Sequence, residues 1–360
     1  MNKLRGALSH IQGRFERAER APFDDGWARE EEPLPPLATR VTEERARSIV
    51  ARNDSPDVPF EQSVNPYRGC EHGCIYCYAR PSHAYLELSP GLDFETRLFA
   101  KTNAAELLTA ELSRPGYVPK PLAFGTNTDC YQPVERRYRI MRGLLEVLAA
   151  CDHPLTLVTK SALIERDIDL LAPMAKRGLV KAFVSITTLD AKLARAMEPR
   201  AASPRRRVDA LRALAAAGVP CGVLTAPVIP GLNDKSIEEV LEAGAAAGAT
   251  MAGWILLRLP NEVRPLFREW LAEHYPQRAE HVISIVRQSR GGRENDPRFG
   301  SRMTGSGRFV ELIGQRFELA CRRLGLNRED DHMAPRGGLD CSRFRAPAPP
   351  PAPGGQMRLF

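Results

Sequence analysis

No apolar run in the 360-residue chain approaches the roughly 20 residues that cross a bilayer, so no membrane span is expected. The opening Met1-Asn2-Lys3-Leu4-Arg5 has no apolar stretch of the secretory kind, and the expected location is cytoplasmic. Cysteine is sparse, eight in all, which excludes a disulfide-built scaffold. Lysine is sparse too: eight of the 51 basic residues are lysine, and arginine supplies the rest. No helix-turn-helix, RRM or zinc-finger pattern is present, so none of the common sequence-reading nucleic-acid modules is expected.

What is there is an ordinary globular balance, 43% hydrophobic and 26% charged, with a formal charge of +7. At this length a large core can be buried. The charge is uneven. Residues 1–60 hold 10 basic and 11 acidic side chains, whereas residues 276–345 hold 14 and 9. An arginine surplus of that kind suits phosphate recognition, which keeps DNA or RNA among the partners considered.

Residues 1–57 read as an irregular N-terminal arm: Glu30-Glu31-Glu32-Pro33-Leu34-Pro35-Pro36 breaks any helix, and 41–51 could form one short helix. From 58 to 275 short β-branched runs alternate with helical periodicity. Strands are expected over 62–67, 121–125, 155–159, 182–187, 221–225 and 253–257. Helices are expected over 104–113, 138–150, 164–176, 204–217, 236–247 and 265–274, several of them stopped by glycine, as at Gly178 and Gly218. Six strand–helix repeats imply a parallel α/β sheet, wrapped as an incomplete barrel or opened as a doubly wound sheet. A basic helical extension over 276–345, with helices near 279–289 and 309–324, and a proline-rich tail over 346–360 complete the chain.

The most informative stretch is Asn65-Pro66-Tyr67-Arg68-Gly69-Cys70-Glu71-His72-Gly73-Cys74-Ile75-Tyr76-Cys77-Tyr78. Its C-x3-C-x2-C spacing follows the first expected strand directly. Gly69 and Gly73 allow the tight turns that point three thiolates inward. Three thiolates hold three irons of a cubane and leave the fourth open for chemistry. A zinc site, with His72, His83 or Cys130 as fourth ligand, is the competing reading, but no second ligand pair of the structural-zinc kind is present.

The cysteine loop, with an aromatic before its last cysteine, resembles the signature of the radical S-adenosylmethionine superfamily. The flanking Asn65-Pro66-Tyr67-Arg68-Gly69 and Tyr78 are similar to its spore photoproduct lyase branch, and the runs at 290–292 and 299–307 look like a bacterial subgroup of it. The resemblance implies an incomplete (β/α)6 barrel holding a 4Fe-4S cluster at Cys70, Cys74 and Cys77. It also implies S-adenosylmethionine, cleaved by one electron to methionine and a 5′-deoxyadenosyl radical that abstracts hydrogen from a substrate. A flavodoxin- or ferredoxin-like reductant follows as a partner.

By the same resemblance, Tyr76 lies along the adenine, and Thr128 and Asp129 stand where the methionine amino group binds, although the usual Gly-Gly-Glu is absent. Lys160, Ser185 and Arg200 face the methionine carboxylate or the ribose. Ile229, in Pro227-Val228-Ile229-Pro230-Gly231-Leu232-Asn233-Asp234, backs the adenine; proline and aspartate there replace the family's first glycine and glutamate. Cys130 is the candidate hydrogen donor, although it follows the Thr-Asp pair where the branch's cysteine precedes it. Arg205, Arg206 and Arg207 read as a solvated helix start. The substrate stays open between nucleic acid, in lesion repair or base modification, and a protein or small molecule; a non-catalytic metal-binding scaffold is the third reading.

Overall fold

The computed structural model describes residues 5–16, 37–328 and 338–347. Ten strands are present among them: β1 Arg40–Glu44, β2 Val50–Arg52, β3 Gln62–Val64, β4 Tyr67–Arg68, β5 Arg97–Lys101, β6 Leu122–Phe124, β7 Leu155–Thr159, β8 Val180–Ser185, β9 Cys221–Val228 and β10 Met251–Leu256. Seven form one sheet in the order β10-β9-β8-β7-β6-β3-β2. Every neighbouring pair in it is parallel except β2 with β3. The order from β3 to β10 never reverses, unlike that of a doubly wound sheet, so successive strand–helix units advance in one direction. The fold is therefore α/β, with a mixed sheet and C-terminal helices.

The apolar pattern sets this arrangement. Leu155 and Leu157 of β7, Val180, Ala182 and Val184 of β8 and Val223 of β9 are essentially inaccessible. Against them pack Leu144, Leu145 and Leu148 from the helix Ile140–Ala150 and Leu211 and Leu214 from the helix Pro204–Ala216. That last helix starts where sequence chemistry says it should: Ser203 accepts from the Arg206 amide, and Pro204 occupies the first turn.

The expected helix over 41–51 is not formed. Its residues lie in β1, a connecting turn and β2. Arg40, Val41, Thr42, Glu43 and Glu44 instead pair in register with β5, which in turn pairs antiparallel with β4, making a second, three-stranded sheet. A tertiary partner thus overrides a weak local preference. Of the proline-rich tail only Ala346 and Pro347 fall within the described residues; there the Pro347 carbonyl accepts from the Ser113 hydroxyl at 3.1 Å. The Glu30-Pro36 stretch lies outside them.

Candidate active site

β3 ends at Val64, and the chain passes through β4 into the cysteine loop at the carboxyl end of the parallel strands. Gly69 and Gly73 take φ values of 75° and 67°, the left-handed region that glycine enters without strain. The loop is stitched by short-range bonds: Gly73 N donates to Cys70 O at 3.3 Å and Cys77 N to Cys74 O at 3.2 Å. It is also tied to its surroundings, with Cys70 N donating to Phe94 O at 2.9 Å and Ile75 N to Met197 O at 3.0 Å.

Cys70 and Cys74 are buried, Cys77 is half-buried, and all three are free thiols. Burial pushes each thiol up, Cys74 to about 12, and Asp129 and the other two thiols raise Cys70 further. Ionising them together requires a strongly cationic group in the loop. Among the described residues no three Cys, His, Asp or Glu side chains converge as one metal ion requires.

A buried ion pair that the sequence reading missed shapes this loop. Arg80 and Glu95 are both fully enclosed and meet at 2.5 Å. The Arg80 guanidinium donates to Cys74 O at 2.9 Å, Gly73 O at 3.0 Å, Pro90 O at 3.1 Å and Gly91 O at 2.9 Å. The Glu95 carboxylate accepts from the amides of Gly6 at 2.9 Å and Ala7 at 2.8 Å. Gly6 and Ala7 are thereby fastened, through Glu95, to the arginine that holds the cysteine loop. No signal in the sequence marks either residue, because Glu95 and its Gly6 partner are 89 positions apart.

On another side, Gln132 accepts from Glu71 N at 2.8 Å and donates to Gly69 O at 3.1 Å. Glu71 receives Arg200 at 2.9 Å and the Thr39 hydroxyl at 2.6 Å. Asp129 accepts from the Thr159 hydroxyl at 2.7 Å, Lys160 N at 2.7 Å and Tyr131 N at 2.9 Å, and stands 3.3 Å from His72. Burial alone would raise the Asp129 carboxyl; His72 and these donors outweigh it and hold it at about 2.

A third set surrounds Tyr76, whose hydroxyl donates to Glu198. Glu198 also receives Thr187 at 3.1 Å and the buried Arg207. Arg207 is thus not part of a solvated helix start as expected; only Arg205 and Arg206 are exposed there. Burial would raise the Glu198 carboxyl, but Arg207 and then Lys160 bring it below its ordinary value. The Lys160 ammonium lies 5.8 Å from the centre of the Tyr76 ring.

Of the sequence-selected residues, Tyr76, Asp129 and Lys160 are therefore within electrostatic reach of the cysteines, and Ile229 packs in the same apolar cluster as Cys74 and Tyr76. The loop after β9 is held by Asn233, which accepts from Ile229 N at 2.6 Å and donates to Thr187 O at 2.7 Å; Asp234 takes no part in these bonds. Ser185 is buried with its carbonyl on Arg207 at 3.0 Å, and Arg200 is engaged by Glu71. Thr128 spends its hydroxyl on Tyr67 O at 2.9 Å. Cys130 is fully buried in the main core, separate from the clusters that contain Cys70, Cys74 and Cys77. Of the other zinc candidates, His83 directs Nε2 to Arg97 O at 2.9 Å. Tyr78, next to Cys77, is open to solvent with the Arg258 guanidinium 5.3 Å from its ring centre.

The sequence profile of the Radical SAM superfamily matches residues 64–244, half of the chain, beginning at the last residue of β3. The chain belongs to the radical SAM superfamily. This radical SAM protein accordingly carries the catalytic domain of an enzyme class that uses S-adenosylmethionine and an iron–sulfur cluster. Uncharacterised proteins of Mycobacterium tuberculosis and Mycobacterium bovis are each 41% identical to it over 233 residues, covering 64% of this chain and 68% of theirs. An uncharacterised protein of Methanocaldococcus jannaschii is 24% identical, covering 61% of this chain and 78% of its own. Among solved structures, spore photoproduct lyase complexed with dinucleoside spore photoproduct aligns with TM-score 0.56 and 17% identity, over 79% of this chain and 80% of that one. At that identity the likeness speaks for the fold. No helix among the described residues is long and apolar enough to cross a membrane.

Proposed function

We propose that residues 58–275 form an incomplete (β/α)6 barrel whose cysteine loop holds a 4Fe-4S cluster, and that this radical SAM enzyme acts on a nucleic acid. The observation that carries the cofactor reading is the donor set: three free thiols on one tight loop, two of them enclosed and Cys77 half-buried, with the Gly73 and Cys74 carbonyls turned onto Arg80. A cubane places each thiolate on a different iron, so its ligands are spaced apart. Cys70, Cys74 and Cys77 would hold the cluster, which would supply the one electron that cleaves S-adenosylmethionine to methionine and a 5′-deoxyadenosyl radical able to take hydrogen from the substrate.

The chain's own residues bind, orient and exclude water. Tyr76 and Ile229 offer the flat and apolar surfaces for the adenine. Lys160, with Ser185 and Arg200, supplies the polar side for carboxylate and ribose, and Thr128 and Asp129 face the amino group. Cys130 is kept as the candidate hydrogen donor on the family resemblance alone, since its thiol is enclosed in the main core. Lys160 beside the Tyr76 ring supports this assignment, since it sets a cation and an aromatic face next to Cys74. For the substrate, support comes from the exposed Tyr78 with the Arg258 guanidinium 5.3 Å from its ring centre beside the loop, an aromatic–cation pair suited to an unstacked base and its phosphate. The likeness to a lyase solved with a dinucleoside photoproduct points the same way. Arg302, from the arginine-rich extension, lies close enough to act on Arg258 and would extend that surface.

The test is anaerobic reconstitution with iron and sulfide, then dithionite and S-adenosylmethionine, following 5′-deoxyadenosine by chromatography. Wild type should form it and Cys74→Ala should not. One bound zinc and no iron–sulfur absorbance would overturn the cofactor reading. Damaged DNA and RNA oligonucleotides are then supplied as substrates. Turnover of a peptide or small molecule, with no salt-sensitive oligonucleotide binding, would move the substrate to the second class.

A further inference from the structure

The three-stranded sheet beside the cysteine loop turns a basic face outward. Arg40 and Arg97 are cross-strand neighbours, as are Thr42 and Phe99, and Arg68 pairs in register with Phe99. Alternation along β5 sends Leu98 and Ala100 inward and Arg97, Phe99 and Lys101 outward. Arg40, Arg68 and Arg97 thus share the face with Glu44, which is bonded to Arg68 at 2.9 Å, while Lys101 at its edge donates its ammonium to Asn65 O at 2.9 Å. Arg40 and Arg97 are exposed, and neither is ion-paired with a carboxylate among the described residues. Together with Thr42, Phe99 and the enclosed Asp93 they line a cavity of about 580 Å³.

What lies behind this face separates it from an ordinary charged surface. The Arg97 carbonyl holds His83 Nε2 at 2.9 Å. The His83 ring sits 6.4 Å from Phe99 and edge-on to Phe94 at 5.2 Å between ring centres. Phe94 packs against Cys70, and its carbonyl accepts the Cys70 amide at 2.9 Å. Gly69 closes the contact, since a side chain there would lie 2.6 Å from Leu98 and 2.9 Å from His83. A run of touching groups therefore leads from the cavity wall to Cys70.

We infer that the basic face of the three-stranded sheet, centred on Arg40 and Arg97, docks a small acidic one-electron carrier protein that reduces the cluster through Phe99, His83 and Phe94. The inference rests on the cluster reading above. One electron leaves the carrier's reduced cofactor, which is oxidised, and enters the iron–sulfur cluster, which is reduced; no bond forms and no proton moves. Positive charge on the face steers an acidic partner and fixes its orientation. The close packing behind it favours an electron carrier over a nucleic acid, which would need the charge but not the route.

The test uses the anaerobically reconstituted full chain and reduced flavodoxin as the probe, following cluster bleaching by stopped-flow absorbance and flavodoxin binding by fluorescence anisotropy. Arg40→Glu with Arg97→Glu should slow reduction by flavodoxin, and weaken its binding, by roughly tenfold or more at low ionic strength. Reduction by dithionite should be unchanged, and added salt should erase the difference. Arg40→Gln with Arg97→Gln should fall between, and Arg322→Glu on the C-terminal helix should match wild type. Equal flavodoxin rates in wild type and the charge-reversed variant, zero included, overturn the inference. So does a variant that keeps its flavodoxin rate but loses oligonucleotide binding, which would make the face a nucleic-acid surface. Failure to assemble any cluster would instead count against the cofactor reading, and the dithionite arm separates the two.

Discussion

The strands of the seven-stranded sheet hold their shape with apolar side chains: Leu122, Phe124, Leu155, Leu157, Val184 and Val223 are all fully enclosed. Between 65 and 97 the enclosed groups include Glu71, His72, Arg80, His83, Asp93 and Glu95. The first region is stabilised by non-directional burial, which tolerates small changes of geometry. The second is stabilised by hydrogen bonds and ion pairs that lose most of their value when a partner is displaced. A loop that must present three thiols at fixed positions gains from the second kind of support. Arg80 fixes the carbonyls of Gly73 and Cys74, so the loop's backbone has few alternatives.

The contrast can be broken by substitution. Arg80→Ala leaves Glu95 enclosed without its ion-pair partner, with about 3–5 kcal/mol of stability lost in urea unfolding of the metal-free protein. Iron retained after reconstitution should fall with it, even at temperatures where the variant is folded. Leu157→Ala, in the centre of β7, should cost about 2–5 kcal/mol through the cavity it leaves. Its iron content per folded molecule should equal that of wild type. If Leu157→Ala loses iron as completely as Arg80→Ala, the two regions are not distinct in the way described.

The same division explains what the sequence revealed. β7 is read without error at 155–159, and the helix Ala104–Leu112 to within one residue, because their apolar periodicity is local. The cysteine loop is legible because its C-x3-C-x2-C spacing is local, written within eight consecutive positions. β1 and β5 are not legible: each is five residues long, with few inward-facing apolar positions, and their pairing partners, β5 for β1 and both β1 and β4 for β5, come from elsewhere in the chain. Arg80, Glu95 and Glu198 are equally silent. A lone charged residue reads as solvated until its partner arrives from far away, as Glu198 does to Tyr76 across 122 positions. The bonds of Thr128 and Asp129 to protein groups also need the folded chain to be seen, since Tyr67 and Thr159 are distant in sequence.

A smaller effect is expected from acid. The Asp129 carboxyl is held at about 2, against an ordinary 3.8, so the native state binds fewer protons than the unfolded chain between those values. Its contribution is complete above pH 3.8 and is lost as the pH falls toward 2; the difference converts to about 2 kcal/mol. In Asp129→Asn the urea midpoint should fall less steeply across that interval than in wild type. A variant curve parallel to the wild-type curve would mean that His72, Thr159 and Lys160 do not hold the carboxylate as described.

The smallest effect sharpens the comparison within three adjacent arginines of one helix. Arg206 is half-exposed and pairs with Glu165 at 3.1 Å in solvent, whereas Arg207, one position on, is enclosed and bonded to Glu198, Ala202 O and Ser185 O. An exposed pair gains little, because water screens the charges and two long side chains must be ordered to meet. Arg206→Ala should therefore change stability by less than about 1 kcal/mol, and added salt should reduce even that. Iron content should stay at the wild-type level, since neither Glu165 nor Arg206 touches the Tyr76–Glu198 set. A loss from Arg206→Ala comparable to that from Arg80→Ala would show that exposed charge on this helix, and not enclosure, supports the loop.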